Sequence, residues 1–141
     1  KSGSVILIGA FTNQLTLRLS NQARYTFTSE PETNTPWLQD RQDPNNKQWK
    51  LVRISDQELT DYAIVSRVLD PGTGRPTIIA AGITGGGTTA AGRFISDPQA
   101  MQQISRLAPR RWDQMNAQVV LRIHIKNRQP VSTEPIAAYF W

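Results

Sequence analysis

Apolar residues fall in short blocks along the chain, and their spacing alternates between strand-like and helix-like. Val5 to Ile8 is a continuous, mostly β-branched run ended by Gly9-Ala10, which predicts a strand covered on both faces. Phe11-Thr12-Asn13 follows, and Asn13 as an N-cap predicts a helix through about Ala23. Leu15, Leu17 and Leu19 nevertheless alternate as a strand would. Tyr25 to Thr28 predicts a second strand. From Ser29 to Asn46 the composition turns to Pro31, Pro36, Pro44 and polar residues, anchored by Trp37 and Leu38. This predicts a long loop that can contain an edge hairpin, serving as a functional flap or a family-specific insertion. Lys47 to Ile54 predicts another strand.

The clearest unit comes next. Asp61 to Leu69 and Arg75 to Gly82 are apolar strands joined by Asp70-Pro71-Gly72-Thr73-Gly74, a turn that folds them into an antiparallel hairpin. Ile78 to Ala81 does not alternate, which places that strand centrally. Gly85-Gly86-Gly87 leads into a helix ending near Ile95, with Ala91, Phe94 and Ile95 on one face. Asp97 caps a second helix with Pro98 in its first turn and Met101, Ile104 and Leu107 as its apolar side. In Gln118 to Lys126, Val119, Leu121, Ile123 and Ile125 alternate toward the core. Asn127 to Pro130 is a turn, and Glu134 to Trp141 closes the sheet. The expected class is α/β, a three-layer-like mixed β-sheet with helices packed on it and antiparallel hairpins at 61–82 and 118–141.

The 141 residues suit one domain, 1–141, and the start at Lys1, directly before a core-like strand, reads as a piece of a longer protein. The absence of cysteine excludes thiol chemistry and disulfides and leaves the compartment open. Sixteen Lys and Arg against eleven acids give +5, but the cations are scattered and no aromatic RNA-binding motif accompanies them. No direct nucleic-acid binding is expected, and no apolar run approaches a membrane span, so no membrane insertion by this piece is expected either.

The best local feature for chemistry is Gly82 to Thr89. A glycine-bearing strand-to-helix turn can present backbone N–H groups to a ligand, and Thr84, Thr88 and Thr89 add hydroxyls. It lacks the Lys-Ser/Thr of a Walker loop. Its loose dinucleotide spacing, Gly85, Gly87 and Ala90, stands in the wrong topology. If the Val5 and Ile78 strands lie parallel and adjacent, this turn and Phe11-Thr12-Asn13 open on one edge of the sheet. The candidate ligand site is therefore Phe11, Thr12, Asn13, Thr84, Gly85, Gly86, Gly87, Thr88 and Thr89, for a small polar or anionic molecule. The plainer alternative, glycines that let a helix pack tightly and Asn13 as a mere cap, carries more weight.

No catalytic residue, metal site or cofactor is expected. His124, the single histidine, lies on the polar face of its strand, where a surface role is the simpler reading. Asp61 and Asp70 bracket one strand about 30 Å apart, too far for a carboxylate pair. Asp40 and Asp43 fit turn formation, and the four tryptophans fit core and rim packing.

Several stretches resemble a soil-bacterial domain family found C-terminal to winged-helix DNA-binding and transmembrane regions, in a ToxR-like architecture. They are Val5 to Asn13, Asp61 to Gly74, Ile79 to Thr84, Gly87 to Phe94 and Gln118 to Leu121. The resemblance implies an extracytoplasmic, periplasmic domain of a membrane-tethered regulator, normally preceded by more of the same domain. A cytoplasmic setting is the alternative. The expected function is a non-catalytic sensing or interaction domain whose partner is a small molecule or a protein. The alternative is a hydrolase or transferase using the Gly/Thr-rich turn, which needs a base beside Thr84 or Thr88.

Overall fold

The computed structural model describes residues 5–8 and 22–141. Its strands are β1 (Val5–Ile8), β2 (Tyr25–Ser29), β3 (Pro36–Asp40), β4 (Val52–Ser55), β5 (Glu58–Leu69), β6 (Pro76–Gly82), β7 (Ala117–Lys126) and β8 (Gln129–Phe140). Helices α1 (Gly85–Ile95) and α2 (Pro98–Leu107) follow β6, with a 3-10 turn at Trp112–Gln114. The main sheet runs β1-β6-β5-β7-β8, and β4 also pairs with β5. β1 and β6 are parallel, Val5 opposite Thr77 through Ile8 opposite Ala80. The other pairings are antiparallel, so the sheet is mixed, as the pattern predicts.

Both predicted hairpins form, for local reasons. Between β5 and β6, Asp70 Oδ1 accepts from Gly72 N at 2.9 Å, Thr73 N at 2.8 Å and Thr73 Oγ1 at 3.0 Å. Gly74 takes φ +69° and closes the turn. Between β7 and β8, Asn127 and Arg128 adopt φ of 52° and 65°, the two left-handed residues of a type I′ turn.

Buried residues form two clusters, one on each face of the sheet. Ala63 and Val65 of β5 and Val119, Leu121, Ile123 and Ile125 of β7 meet α1 and α2 through Ala90, Ala91, Phe94 and Ile104. On the other face Tyr62, Ile64 and Val120 pack with Tyr25 and Leu38. Those last two belong to an antiparallel β2–β3 hairpin, Tyr25 opposite Asp40 through Ser29 opposite Pro36. The long loop expected over 29–46 is thus interrupted by a strand, and its Trp37 and Leu38 are core residues, 4% and 0% exposed. Polar Gln39 and Asp40 disguise β3 in the sequence, because its apolar content is confined to two adjacent positions.

Gln118 ties that hairpin to the sheet. Its Oε1 accepts from Tyr25 N at 2.9 Å, and its Nε2 donates to Tyr25 O at 3.0 Å and Ser66 Oγ at 3.2 Å. Arg24 adds a fork onto Asp40, at 2.9 and 2.8 Å, and lies over the rings of Tyr25 and Tyr139. The Arg24 guanidinium holds the Asp40 carboxyl below the usual range. In α2 the buried face is Ala100 and Ile104, whereas Leu107, expected on the apolar side, is 74% exposed. The helix ends at Leu107 as Ala108 turns extended.

The helix expected from Asn13 lies outside the described residues up to position 21. Gln22 and Ala23 are not helical.

Candidate functional site

β6 and β1 run parallel, so their carboxyl ends lie on one edge of the main sheet. Phe11, Thr12 and Asn13, which follow β1, lie outside the described residues. The other half of the candidate site follows β6. Gly82 pairs with Ala63, and the chain then leaves the sheet while Ile83 N still donates to Tyr62 O at 3.0 Å. That bond drops Thr84 directly above Asp61.

Asp61 is the residue the sequence reading passed over. It is 0% exposed, on the helix-facing side of β5. Its Oδ2 accepts from Thr84 N at 3.1 Å and Thr84 Oγ1 at 2.5 Å, and its Oδ1 accepts from Tyr62 N at 2.6 Å. Thr84 is the N-cap of α1, its Oγ1 accepting from Gly87 N at 3.4 Å. A carboxylate from the neighbouring strand thus sits at the positive end of the helix, where a bound anion would otherwise be favoured. Burial pushes the Asp61 carboxyl above the usual range, and the bonds from Thr84, Tyr62 and Gly87 pull it back in part. The signal in the sequence was an acid opening the apolar run Tyr62 to Val65, a position that demands partners once buried.

The glycines expected to form a loop are the first turn of α1 itself, because Thr84 caps a helix that starts at Gly85, three residues before Thr88. Their role is close approach. A Cβ on Gly82 would stand 2.4 Å from the Gly87 carbonyl carbon, and one on Gly87 would stand 2.2 Å from Asp61 Oδ2. One on Gly86 would meet Ile125 Cδ1 at 2.6 Å, while Gly85 faces open space.

The threonine hydroxyls are engaged locally. Thr84 donates to Asp61, Thr88 donates to Thr84 O at 3.2 Å and accepts from Gly82 N at 3.0 Å, and Thr89 donates to Gly85 O at 3.0 Å. The first N–H groups of a helix have no intrahelical partner, and exposed Gly85 presents its own to solvent. The structure therefore brings Thr84 to Thr89 together with Asp61 in a tight joint whose open polar surface is the backbone at Gly85 and Gly86.

His124 lies elsewhere, on β7, with Nε2 2.6 Å from Glu58 Oε1. Among the described residues no group of three His, Asp or Glu could hold a metal ion, and no helix is long and apolar enough to cross a membrane.

Fold and site define an α/β chain with a mixed sheet and an internally capped strand-to-helix joint. No family model, curated protein or solved structure matches it, so the resemblance above stands on its quoted stretches alone.

Proposed function

We propose that this chain is a non-catalytic sensing or interaction domain, carried on the extracytoplasmic face of a membrane-tethered bacterial regulator. The tether and the compartment come from the sequence resemblance; the non-catalytic character rests on the site. The observation that carries it is that all three threonine hydroxyls and the Asp61 carboxylate are already engaged: Thr84 and Asp61 at the cap of α1, Thr88 and Thr89 on the carbonyls four residues back. A ligand at the edge where β1 and β6 end meets the Gly85 and Gly86 N–H groups and is held by hydrogen bonds. Asp61 already balances the helix end from inside, so a neutral polar group suits this place as well as an anion. The reading takes the main sheet as the middle of three layers, with helices on one face and the β2–β3 hairpin on the other.

Thermal unfolding of the chain with phosphate, acetate or acetamide tests this site. A rise in Tm with any of them, lost in Gly85→Leu, supports it; no rise, or a rise that survives Gly85→Leu, removes it. Gly85 is the right position, since a Cβ there meets nothing within 4 Å.

A second reading, a hydrolase or transferase with Thr84 as nucleophile, is favoured by the 2.5 Å contact between Thr84 Oγ1 and Asp61 Oδ2, which supplies the base such a reading needs. Its weakness is the same geometry: Thr84 also caps the helix, and Asp61 is 0% exposed. Turnover of p-nitrophenyl acetate that disappears in Thr84→Val would establish this reading in place of the first.

A further inference from the structure

A groove of about 280 Å³ lies away from that joint, between the last turn of α1, the start of α2 and the start of β8. Its lining is mixed: Ala90, Phe94 and Ala100, 2%, 6% and 7% exposed, lie with polar Gln99 and Gln103. Its rim carries two opposite charges, Arg93 from α1 and Asp97 from the cap of α2, beside the hydroxyls of Ser132 and Thr133.

Arg93 and Asp97 are four positions apart, the spacing of an ion pair within one helix. Here α1 ends at Ile95, and the chain turns before α2 begins. Ion pairs among the described residues join Arg24 to Asp40, Lys47 and Lys50 to Glu30, Arg122 to Glu134, and His124 to Glu58. Neither Arg93 nor Asp97 takes part in them. Asp97 uses Oδ1 to accept from Gln99 N at 3.0 Å, which leaves its other oxygen for a further donor. Among the described residues, one groove thus presents a cation and an anion that join no ion pair.

A ligand with one charge would satisfy one of these groups and be repelled by the other. We propose that the groove binds a small zwitterion of the α-amino-acid class, its carboxylate on the Arg93 guanidinium, its ammonium on Asp97 and its side chain over Phe94. The size agrees, since a groove of about 280 Å³ is far larger than the room a single water needs. An extended peptide fits less well. It would add to the edge strand β8, whose Pro130 and Pro135 have no N–H to offer and break the template such pairing needs. The proposal rests on the sensing reading and names a ligand class for it, at a place distinct from the Gly85 turn.

The test is isothermal titration and thermal unfolding of the chain against the proteinogenic L-amino acids, with propionate and propylamine as single-charge probes. At least one amino acid should bind, and both single-charge probes should fail. Arg93→Gln and Asp97→Asn should each weaken binding about tenfold or more, the loss of one charge-assisted contact. Both variants should unfold like the wild type, because Arg93 is exposed and Asn caps a helix as well as Asp. Failure of every amino acid, equal binding of propionate, or affinity unmoved by both substitutions would overturn the proposal. If amino acids fail while the phosphate or acetamide response lost in Gly85→Leu persists, the groove falls and the sensing reading stands.

Discussion

Gly87→Ala should destabilise the chain far more than the removal of one hydrogen atom implies. The new Cβ would stand 2.2 Å from Asp61 Oδ2, 2.8 Å from Asp61 Cγ and 3.2 Å from Gly82 Cα. The first contact is more than about 1 Å short of ordinary separation. Asp61 Oδ2 cannot yield without losing its bonds from Thr84 N and Thr84 Oγ1, and the helix cannot rise without uncovering Ala90 and Phe94. Losing two bonds to a buried charge costs about 3–6 kcal/mol, and alanine's helix preference returns about 1 kcal/mol. The net loss is about 2–5 kcal/mol, a large share of the ~5–15 kcal/mol that holds a domain folded. Gly92→Ala, one turn and a half further along α1, meets nothing within 4 Å and should stabilise by about 0.5–1 kcal/mol. Urea unfolding followed by tryptophan fluorescence measures both. In an Asp61→Ala background the cost of Gly87→Ala should shrink, because the obstructing carboxylate is gone. A Gly87→Ala variant within about 0.5 kcal/mol of wild type, or a cost unchanged by Asp61→Ala, would refute the close-packed joint.

Three other outcomes follow from the same coordinates. Asp61 titrates above its unfolded value of about 3.9, so unfolded chains release this proton first as pH rises. The contribution of Asp61 to stability is therefore greatest at low pH and declines until the folded pKa is passed. Denaturation at a series of pH values should show this decline in wild type and not in Asp61→Asn; parallel pH profiles would contradict it. Gln118→Ala should cost about 2–4 kcal/mol by orphaning the buried Tyr25 N–H and C=O, and hydrogen exchange should speed up in β2 and β3 before the main sheet. Exchange that speeds up uniformly would sink that assignment. Arg128→Gly should raise stability by about 0.5–1 kcal/mol, since glycine accepts φ 65° without strain and Asn-Gly is the favoured type I′ pair; a lowered urea midpoint would count against the turn geometry.

The sequence by itself determined the features whose causes are local. Asp70 to Gly74 encodes a turn through one aspartate and a left-handed glycine. Asp97-Pro98 encodes a helix start, and the alternation from Val119 to Ile125 encodes a buried strand face. It also placed the glycine and threonine run at the junction of a strand and a helix. Only the tertiary structure decided what that run is for, because the Asp61 carboxylate that fills its inner side lies 23 residues from Thr84. Likewise Gln118 meets Tyr25 across 93 residues, and that contact ties the β2–β3 hairpin to the main sheet. The physical reason is common to both. Periodicity and turn chemistry report what a residue does to its own backbone, whereas a buried polar group is explained by a distant partner that satisfies it.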